Sequence, residues 1–335
     1  MNGKEDMYGK ALEWLKEGRD VALATVIKTW GSSPRPVGSQ LVIDQKGAFE
    51  GSVSGGCIES AVITEGLEVL RIGEPRHLQF GVTSAQAWEV GLTCGGEITI
   101  YIEKVTSRRL LEDMESMCLK QQGYCVITDL EKGEKTLLPL EDDERIFYLF
   151  PNSEKAIRDA VNTERNVSFI SHRRHYFLHV FMPALELIIF GAVHIAQPLV
   201  KIARIVGFKV TLIDPREAFA NKDRFPDIPV IVKWPEEALK GRLHSRTALV
   251  TLTHDPKLDD PALMEGLKSN AFYIGALGSR ISHAERMERL SSAGISKDSL
   301  KRIHGPVGLG IGAVSQEEIA ISIIAQIIER RRLAI

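Results

Sequence analysis

The sequence is poor in cysteine, in net charge and in long apolar runs, and each shortage excludes a class of protein. Four cysteines in 335 residues are too few and too unevenly spaced for a disulfide framework, so we treat them as free thiols. Forty-two basic and 44 acidic side chains leave a formal charge of −2, which gives no overall attraction to nucleic acid or to anionic lipid. The sequence contains no run of about 18 apolar residues, the length needed to span a bilayer, and no leader-like segment opens the chain. We therefore expect a cytoplasmic protein.

The composition that remains is that of a globular protein with two domains. Apolar residues make up 44% of the chain and charged residues 26%, which are ordinary proportions for a chain that folds around an apolar core. A length of 335 residues exceeds that of a typical single domain, about 100–200 residues. The clearest change of character follows Pro183, so we predict an N-terminal domain over residues 1–183 and a C-terminal domain over residues 184–335.

The C-terminal half alternates β-branched apolar runs with helical patterns. This alternation predicts an α/β domain with a Rossmann-like parallel sheet and helices on both faces. A capping-box pattern, Ser315-x-x-Glu318, precedes the last predicted helix. The predicted strands lie at 187–190, 209–213, 230–234, 248–253 and 272–276, and the predicted helices at 195–206, 261–267 and 316–330.

The N-terminal half mixes helices and strands without such regularity, which indicates a mixed α/β domain. Residues 105–183 carry no recognisable motif, and we assign them to this half. The predicted helices lie at 7–17, 58–72 and 110–120, and the predicted strands at 21–27, 40–43, 98–102, 124–128, 146–150 and 167–181.

A dinucleotide-binding pattern opens the C-terminal half, with one departure. Gly191-Ala-Val-His-Ile-Ala196 lies between a predicted strand and a helix, and Asp214 ends the next strand. Val193 stands where the pattern has its second glycine, and its side chain would occupy space that the pyrophosphate needs. Asp214 therefore has two interpretations, an acceptor for ribose hydroxyls or a carboxylate that caps the turn before Pro215. His194 is either a phosphate contact or a solvent-facing histidine.

Three loops rich in glycine and serine distinguish the N-terminal half. Cys57 and Cys94 each adjoin a Gly-Gly pair, and such a loop can offer backbone N–H groups to an anion while the thiolate binds a soft metal. Burial in the core is the alternative for both cysteines. Arg35, held between two prolines, is either an anion contact or a surface residue. We interpret Glu59 as a carboxylate in the first turn of a helix.

Taken together, these motifs resemble the XdhC/CoxI family, the accessory factors of xanthine dehydrogenase and related molybdenum hydroxylases. The first-half segments are Gly31-Ser-Ser-Pro-Arg-Pro36, Gly51-Ser-Val-Ser-Gly-Gly-Cys-Ile-Glu59 and Gly91-Leu-Thr-Cys-Gly-Gly-Glu97. The second-half segments are Ile189-Phe-Gly-Ala-Val-His-Ile-Ala196, Tyr273-Ile-Gly-Ala-Leu-Gly-Ser-Arg280 and Ile303-His-Gly-Pro-Val-Gly-Leu309. The family usually has Gly-Ala-Gly-His where this chain has Gly-Ala-Val-His.

The resemblance implies a function for the chain. It implies a homodimeric chaperone that binds the molybdenum cofactor, protects it during sulfuration and delivers it to a xanthine dehydrogenase-type apoenzyme, without turnover of its own. A cysteine desulfurase is a further partner that this function leaves open. An NAD(P)-dependent oxidoreductase that uses the Rossmann half is the alternative. The candidate cofactor-binding residues are Ser32, Ser33, Arg35, Ser54, Gly55, Gly56, Cys57, Cys94, Gly95, Gly96, Gly191, His194 and Asp214, with Cys57 as the metal ligand.

Overall fold

The computed structural model of the protein describes residues 7–31, 35–56, 58–81 and 96–333. The chain forms two compact units, an N-terminal unit that ends at Pro183 and a C-terminal unit that begins at Ala184. Among the described residues, no helix combines the length and the apolar character that a membrane crossing requires.

The N-terminal unit contains two antiparallel sheets. In its described part the helices are α1 (Met7–Lys16), α2 (Glu59–Ile72), α3 (Arg108–Leu119), α4 (Asp143–Leu149) and α5 (Glu154–Asn162). The strands are β1 (Val21–Trp30), β2 (Gln40–Asp44), β3 (Phe49–Gly51), β4 (Arg76–Phe80), β5 (Glu97–Lys104), β6 (Tyr124–Asp129), β7 (Lys135–Pro139), β8 (Val167–Ser171) and β9 (Arg174–Phe181). One sheet has the order β3-β2-β1-β5-β4 and the other the order β7-β6-β9-β8.

Strand β1 is apolar almost throughout because both faces of its sheet are covered. Ala22 and Val26 belong to the core that Val62 of α2 completes. Leu23, which points to the opposite face, packs into a second core with Leu12 of α1. Side chains alternate between the two faces of a strand, so the run of small and branched apolar residues in β1 serves two cores.

The C-terminal unit is built on one parallel sheet. Its strands are β10 (Glu186–Phe190), β11 (Lys209–Ile213), β12 (Val230–Ile231), β13 (Thr247–Thr251), β14 (Tyr273–Ala276) and β15 (Ile303–His304). Its helices are α6 (Ala196–Ile205), α7 (Pro235–Ala238), α8 (Pro256–Lys268), α9 (Arg280–Ser292), α10 (Lys297–Leu300) and α11 (Gln316–Leu333).

The strand order of this sheet is β12-β11-β10-β13-β14-β15, the order of dinucleotide-binding folds. Leu187 and Ile189 of β10 pack into the core that contains α6 and α11. Ile188 and Phe190 pack on the other face against α7 and α8. The predicted Rossmann-like sheet with helices on both faces is therefore confirmed.

Three strand predictions were wrong in type or extent. Residues 146–149 belong to helix α4, and Phe150 is its C-cap residue. The Asp142 side chain caps the first turn by accepting the Arg145 amide at 3.3 Å. The single strand predicted over 167–181 is the hairpin β8–β9, because His172 and Arg173 turn the chain at positive φ angles of 48° and 62°. The strand predicted over 230–234 ends at Ile231.

Candidate functional site

The three glycine- and serine-rich loops leave the five-stranded sheet from the same end. At this end β1 finishes at Trp30, β3 finishes at Gly51, and β5 begins at Glu97. The antiparallel register places Trp30 opposite Glu97 and Gly51 opposite Leu41 near the start of β2. We call this region the loop end, and the topology brings to it the segments that the sequence singled out.

Within the loop end, residues 52–56 and Ile58 surround the carboxylate of Glu59, the first residue of α2. Seven donors reach the two carboxylate oxygens, five of them backbone N–H groups. The donors to Oε1 are the Ser52 hydroxyl (2.8 Å) and the amides of Val53 (3.2 Å), Ser54 (2.9 Å) and Gly55 (3.1 Å). The donors to Oε2 are the Ser54 hydroxyl (2.5 Å) and the amides of Gly56 (2.9 Å) and Ile58 (3.3 Å).

Two glycines allow this wrapping. Gly55 and Gly56 have φ angles of +85° and +122°, a backbone region that residues with a Cβ atom rarely adopt. A Cβ atom at Gly56 would meet nothing within 4 Å, so the backbone conformation alone requires the glycine there. The two residues turn their amides toward the same carboxylate.

The electrostatics of Glu59 follow from these contacts. The side chain is only 8% exposed, and burial by itself would raise its pKa. The hydrogen bonds from the hydroxyls of Ser54 and Ser52 and from the Ser54 amide outweigh burial and lower the pKa to about 2. Glu59 is therefore ionised at physiological pH, and its charge lies at the N-terminus of α2, where the helix dipole favours an anion.

This arrangement revises the expected role of three candidate residues. Ser54, Gly55 and Gly56 were expected to offer their amides to an anionic ligand, but each of these amides already donates to Glu59. Glu59 does lie in the first turn of α2, as expected, and its carboxylate also accepts the hydrogen bonds of the preceding loop, which the sequence analysis did not predict. The Ser-Val-Ser-Gly-Gly stretch that ends three residues before this acidic residue was the sequence signal that could have revealed these contacts.

The remaining loop candidates divide into described and undescribed residues. Arg35 is half-buried in the first loop, and Gly96 directly precedes β5. Five further candidates lie outside the described residues: Ser32, Ser33, Cys57, Cys94 and Gly95. The amides on either side of Cys57, those of Gly56 and Ile58, both donate to Oε2 of Glu59.

Residues that the sequence analysis did not identify hold the first loop. Asn166, just before β8, donates to the Val37 carbonyl at 3.1 Å and accepts from the Val180 amide at 2.9 Å. A Cβ atom at Gly38 would lie 1.8 Å from the Asn166 side-chain nitrogen, so the close approach requires glycine. The Ser168 hydroxyl donates to the carbonyl of Ile27 in β1 at 3.2 Å. The motif-free middle region therefore supports the loop end.

An open cleft of about 330 Å³ lies beside the loop end. Trp30, one of the residues that line the cleft, is 66% exposed. The cleft combines two aromatic rings with hydroxyl, amide and charged side chains, and its lining residues are Lys28, Thr29, Trp30, Gln79, Phe80, Gly81, Glu97, Ile98 and Thr99.

Two other cysteines fall in the described part of the chain. Cys125 is buried on β6, and burial raises the pKa of its thiol to about 12, so the thiol stays protonated and serves packing. Cys118 is exposed on α3. Within the described ranges, no three His, Cys, Asp or Glu side chains gather as a metal site.

In the C-terminal unit, Gly191 and Asp214 come together at the carboxyl ends of β10 and β11. Gly191 has a φ of +112°, and a Cβ atom there would lie 2.7 Å from Thr253. Asp214 is fully buried and accepts the Ala192 amide at 2.8 Å. The Arg216 side chain donates to both of its oxygens, at 2.9 and 2.8 Å. The geometry favours the capping interpretation of Asp214 over that of a ribose acceptor.

The neighbouring residues of the dinucleotide-like pattern lie differently. His194 is exposed, and Val193 is half-buried with its side chain packed against the α6–α11 core. The capping box before α11 is confirmed, since the Glu318 amide donates to the Ser315 hydroxyl at 3.2 Å and the Ser315 amide donates to Glu318 at 2.9 Å.

The fold and these sites define a class of protein that joins a Rossmann-like unit to a unit with glycine-rich loops at one end of an antiparallel sheet. Comparison with known proteins assigns the class. A sequence model of the XdhC and CoxI family matches residues 14–81, and a model of the XdhC Rossmann domain matches residues 187–327. The chain belongs to the XdhC and CoxI family, and the resemblance inferred from the sequence motifs is confirmed.

Relatives are similar over nearly the whole chain. A molybdenum cofactor insertion chaperone from Escherichia coli, PaoD, is 26% identical over 95% of this chain and 85% of its own length. A protein from Bacillus subtilis, named as a probable subunit of xanthine dehydrogenase, is 28% identical over 96% of each chain. A crystal structure of a xanthine dehydrogenase from Bacillus halodurans matches with a TM-score of 0.76 at 27% identity, covering 97% of this chain and 96% of that one.

Proposed function

We propose that this chain is an accessory factor that binds the molybdenum cofactor and inserts it into a xanthine dehydrogenase-type hydroxylase. The names of two relatives, a molybdenum cofactor insertion chaperone and a probable subunit of xanthine dehydrogenase, support this assignment. In the finer form of the proposal, the chain protects the cofactor while it is sulfurated and then hands it to the apoenzyme. The cofactor is cargo here, and the protein performs no turnover of its own.

The observation that carries the proposal is the Glu59-centred loop. The two amides that flank Cys57 in the chain are both tied to one carboxylate oxygen, so the chain is held on both sides of this position. A thiolate is a soft ligand and suits a metal that carries sulfur ligands. A cysteine between two held neighbours can bind such cargo with a small ordering cost at the moment of binding.

The same geometry changes the expected role of the loop amides. The anionic part of the cofactor was expected to bind the amides of residues 54–56, but these donate to Glu59. We therefore place the anionic contact on other groups of the loop end, with Arg35 as the candidate among the predicted residues. The charge of Glu59 also offsets the positive end of the α2 dipole, so this helix N-terminus is less available to a further anion.

The cleft beside the loop end suits the planar part of the cargo. Trp30 and Phe80 offer aromatic faces, and Gln79 and Thr99 offer hydrogen-bonding groups to a polar heterocycle. We infer that the pterin ring lies here.

The test compares two cysteine variants for cofactor retention. Cys57→Ser keeps the size of the side chain but removes the thiolate, and it should lose cofactor during gel filtration while circular dichroism shows an unchanged fold. Cys118→Ser, on an exposed cysteine of α3, is the matched control and should retain cofactor. Full retention by Cys57→Ser, or equal loss in both variants, would remove Cys57 from the mechanism.

The alternative function is an NAD(P)-dependent oxidoreductase, favoured by the strand order of the C-terminal sheet. Two observations disfavour this alternative: Asp214 already accepts hydrogen bonds from the Ala192 amide and the Arg216 side chain, and Val193 stands where the dinucleotide pattern has a glycine. We therefore expect NAD and NADP to bind weakly or not at all. Titration calorimetry that finds low-micromolar affinity for either dinucleotide would overturn this expectation. Val193→Gly should strengthen binding if the rest of the site is competent.

A further inference from the structure

Two motifs of the C-terminal unit have no part in the proposed function. Tyr273-Ile-Gly-Ala-Leu-Gly-Ser-Arg280 covers β14 and the turn into α9, and Ile303-His-Gly-Pro-Val-Gly-Leu309 covers β15 and the loop after it. Strands β14 and β15 are parallel neighbours, so both segments leave the sheet at the carboxyl ends of its strands. This is the edge at which open parallel sheets bind their ligands.

Arg286 of α9 is a buried cation with unused hydrogen-bond donors. The residue is 3% exposed, and its Nη2 donates to the carbonyl of Leu277, in the turn before α9, at 2.8 Å. Its Nε and Nη1 are also buried and have no hydrogen-bond partner among the described residues. A buried guanidinium that lacks partners is unfavourable, and its donors suit the oxygens of a phosphate or a carboxylate.

Asp259, a carboxylate that approaches this cation, directs its oxygens elsewhere. It lies 3.7 Å from Nη2 of Arg286, beyond hydrogen-bond distance. Its oxygens accept the Thr253 hydroxyl at 2.7 Å and the amides of Thr253 and His254 at 3.3 and 3.1 Å. Asp259 therefore balances part of the charge of Arg286 and leaves Nη1 without an acceptor.

The guanidinium lies beneath the turn at Gly278. A Cβ atom at Gly278 would lie 3.6 Å from Nη2 and 3.8 Å from Nη1 of Arg286, and 3.5 Å from Cβ of Ser282, with no other atom closer. These are ordinary van der Waals distances, so the glycine leaves space for an atom beside the terminal nitrogens. An oxygen atom of a ligand fits that space and can reach both nitrogens with a small shift.

The same space lies at the N-terminus of α9, a helix of 13 residues. The Ser279 side chain and carbonyl accept the amides of Ser282 and His283 at 3.1 and 2.9 Å. Helix geometry leaves the amides of Arg280 and Ile281 without an acceptor inside the helix. Such amides and the positive end of the helix dipole favour an anion.

Two further side chains bear on the charge at this position. Arg280, the first residue of α9, is exposed and adds a cation at the surface. His283 is three residues from Arg286 on the same helix, and burial, followed by the charge of Arg286, lowers the pKa of its ring. The ring is therefore neutral near pH 7, and the positive charge at the start of α9 comes from the two arginines.

We propose that the start of α9 binds a phosphate group, with the terminal nitrogens of Arg286 and the amides of Arg280 and Ile281 as its donors. A carboxylate has only two oxygens, whereas a phosphate presents at least three, which suits donors that come from a guanidinium and from a helix terminus. This site belongs to the C-terminal unit and is additional to the cofactor site that we place at the loop end.

The experiment measures binding to the full chain by titration calorimetry at low ionic strength. The probes are inorganic phosphate and ribose 5-phosphate, and ribose is the uncharged control. Both phosphates should bind, and ribose should not. If inorganic phosphate binds at least as tightly as ribose 5-phosphate, the site is one for the free anion, and if the ester binds more tightly, the site is one for a phosphate ester. Failure of both phosphates to bind would overturn the proposal.

Two glycine substitutions test the position of the site. Gly278→Ala places a Cβ atom in the space beside the guanidinium and should weaken phosphate binding by a factor of about 10 or more. Gly294→Ala, at the other end of α9, is the matched control, because this glycine also has a positive φ angle, +92° against +153° at Gly278, and a Cβ atom there would meet nothing within 4 Å. It should bind phosphate like the wild type.

Two arginine substitutions complete the test, with circular dichroism as the folding check. Arg286→Lys keeps the charge but loses the paired donors, so it should weaken binding by a factor of about 10 to 100. Arg35→Gln removes the candidate anion contact of the loop end and should leave phosphate binding unchanged. Gly278→Ala and Arg286→Lys act on the site independently, so one of them folded is sufficient. Unchanged binding in a folded variant of either, equal losses in Gly278→Ala and Gly294→Ala, or binding abolished by Arg35→Gln would each overturn the proposal.

Discussion

At the scale of single residues, the Glu59 carboxylate accepts hydrogen bonds from five backbone amides of the loop before α2, of which only those of Gly55 and Ile58 also reach a serine hydroxyl. The first N–H groups of a helix and of the loop before it have no partner in the helix itself. Ile58, the residue before α2, makes no side-chain cap, and the carboxylate of the next residue takes over this role. Buried charge is costly unless it is fully hydrogen-bonded, and here each oxygen receives at least three donors.

Glu59→Gln should destabilise the N-terminal unit. The amide that replaces one oxygen would point its own N–H groups at backbone donors, leaving several of them unsatisfied. We expect a loss of about 2–4 kcal/mol in the free energy of unfolding, measured by denaturant titration. Glu68→Gln, on the same helix but paired with the exposed Arg71, is the control and should change stability little. Equal effects of the two substitutions would contradict this account of Glu59.

The low pKa of Glu59 gives this stabilisation a definite pH dependence. Its pKa is about 2 in the folded protein against an ordinary value of 4.5, so the folded state favours the ionised form. The contribution is complete above about pH 4.5 and is lost as the pH falls toward 2. The difference in unfolding free energy between wild type and Glu59→Gln should therefore be constant from about pH 5 to 7 and shrink below about pH 4. A difference that grows on acidification would show that the sign is wrong.

At the scale of elements, the middle region matters because Asn166, just before β8, binds the first loop at Val37, and Ser168 of β8 binds Ile27 in the strand that leads into that loop. Asn166→Asp keeps the shape of the side chain but sets a carboxylate oxygen against the Val37 carbonyl, where the amide donated before. We expect a loss of about 1–3 kcal/mol in unfolding free energy, together with reduced cofactor retention. Asn162→Asp, at the exposed end of α5, is the control. Unchanged stability and retention in Asn166→Asp would show that β8 does not support the loop.

The sequence predicted elements well where burial gave a clear period. The strands and helices of the C-terminal sheet carry continuous apolar runs or amphipathic stripes, and their alternation was sufficient for the fold. Helix α9 escaped prediction because Met287 and Leu290 are among the few apolar residues in its charged sequence. The segment of helix α4 resembles a strand because its apolar run is short, and short runs do not separate the two structures.

The candidate site was predictable in part. Glycine pairs and cysteines identified the loops from residue types alone, and the strand register brings those loops to one end of a sheet. The partners of the loops were not predictable, since Asn166 lies far from them in sequence and contacts them only through tertiary packing. The occupation of the loop amides by Glu59 depends on two positive φ angles, which the Gly-Gly pair permits but does not dictate.

At the scale of the whole molecule, the two units contribute different features to the proposed function. The N-terminal unit holds the loop end, and the C-terminal unit holds the Rossmann-like sheet. A net charge of −2 gives no general affinity for anionic cargo, so any binding of a phosphate-bearing cofactor must come from local groups. Whether the chain is a carrier or a nucleotide-dependent enzyme is therefore decided by which ligand it binds, the molybdenum cofactor or a dinucleotide.

The most direct measurement is the molybdenum and pterin content of the protein, purified from cells that make the molybdenum cofactor and from cells that cannot. We predict molybdenum and pterin in equal amounts, close to one of each per chain, from the first source, and neither from the second. Cys57→Ser from the first source should carry much less of both, and Cys118→Ser should match the wild type. Wild-type protein from the first source that contains neither molybdenum nor pterin, yet binds NAD or NADP tightly, would contradict the account.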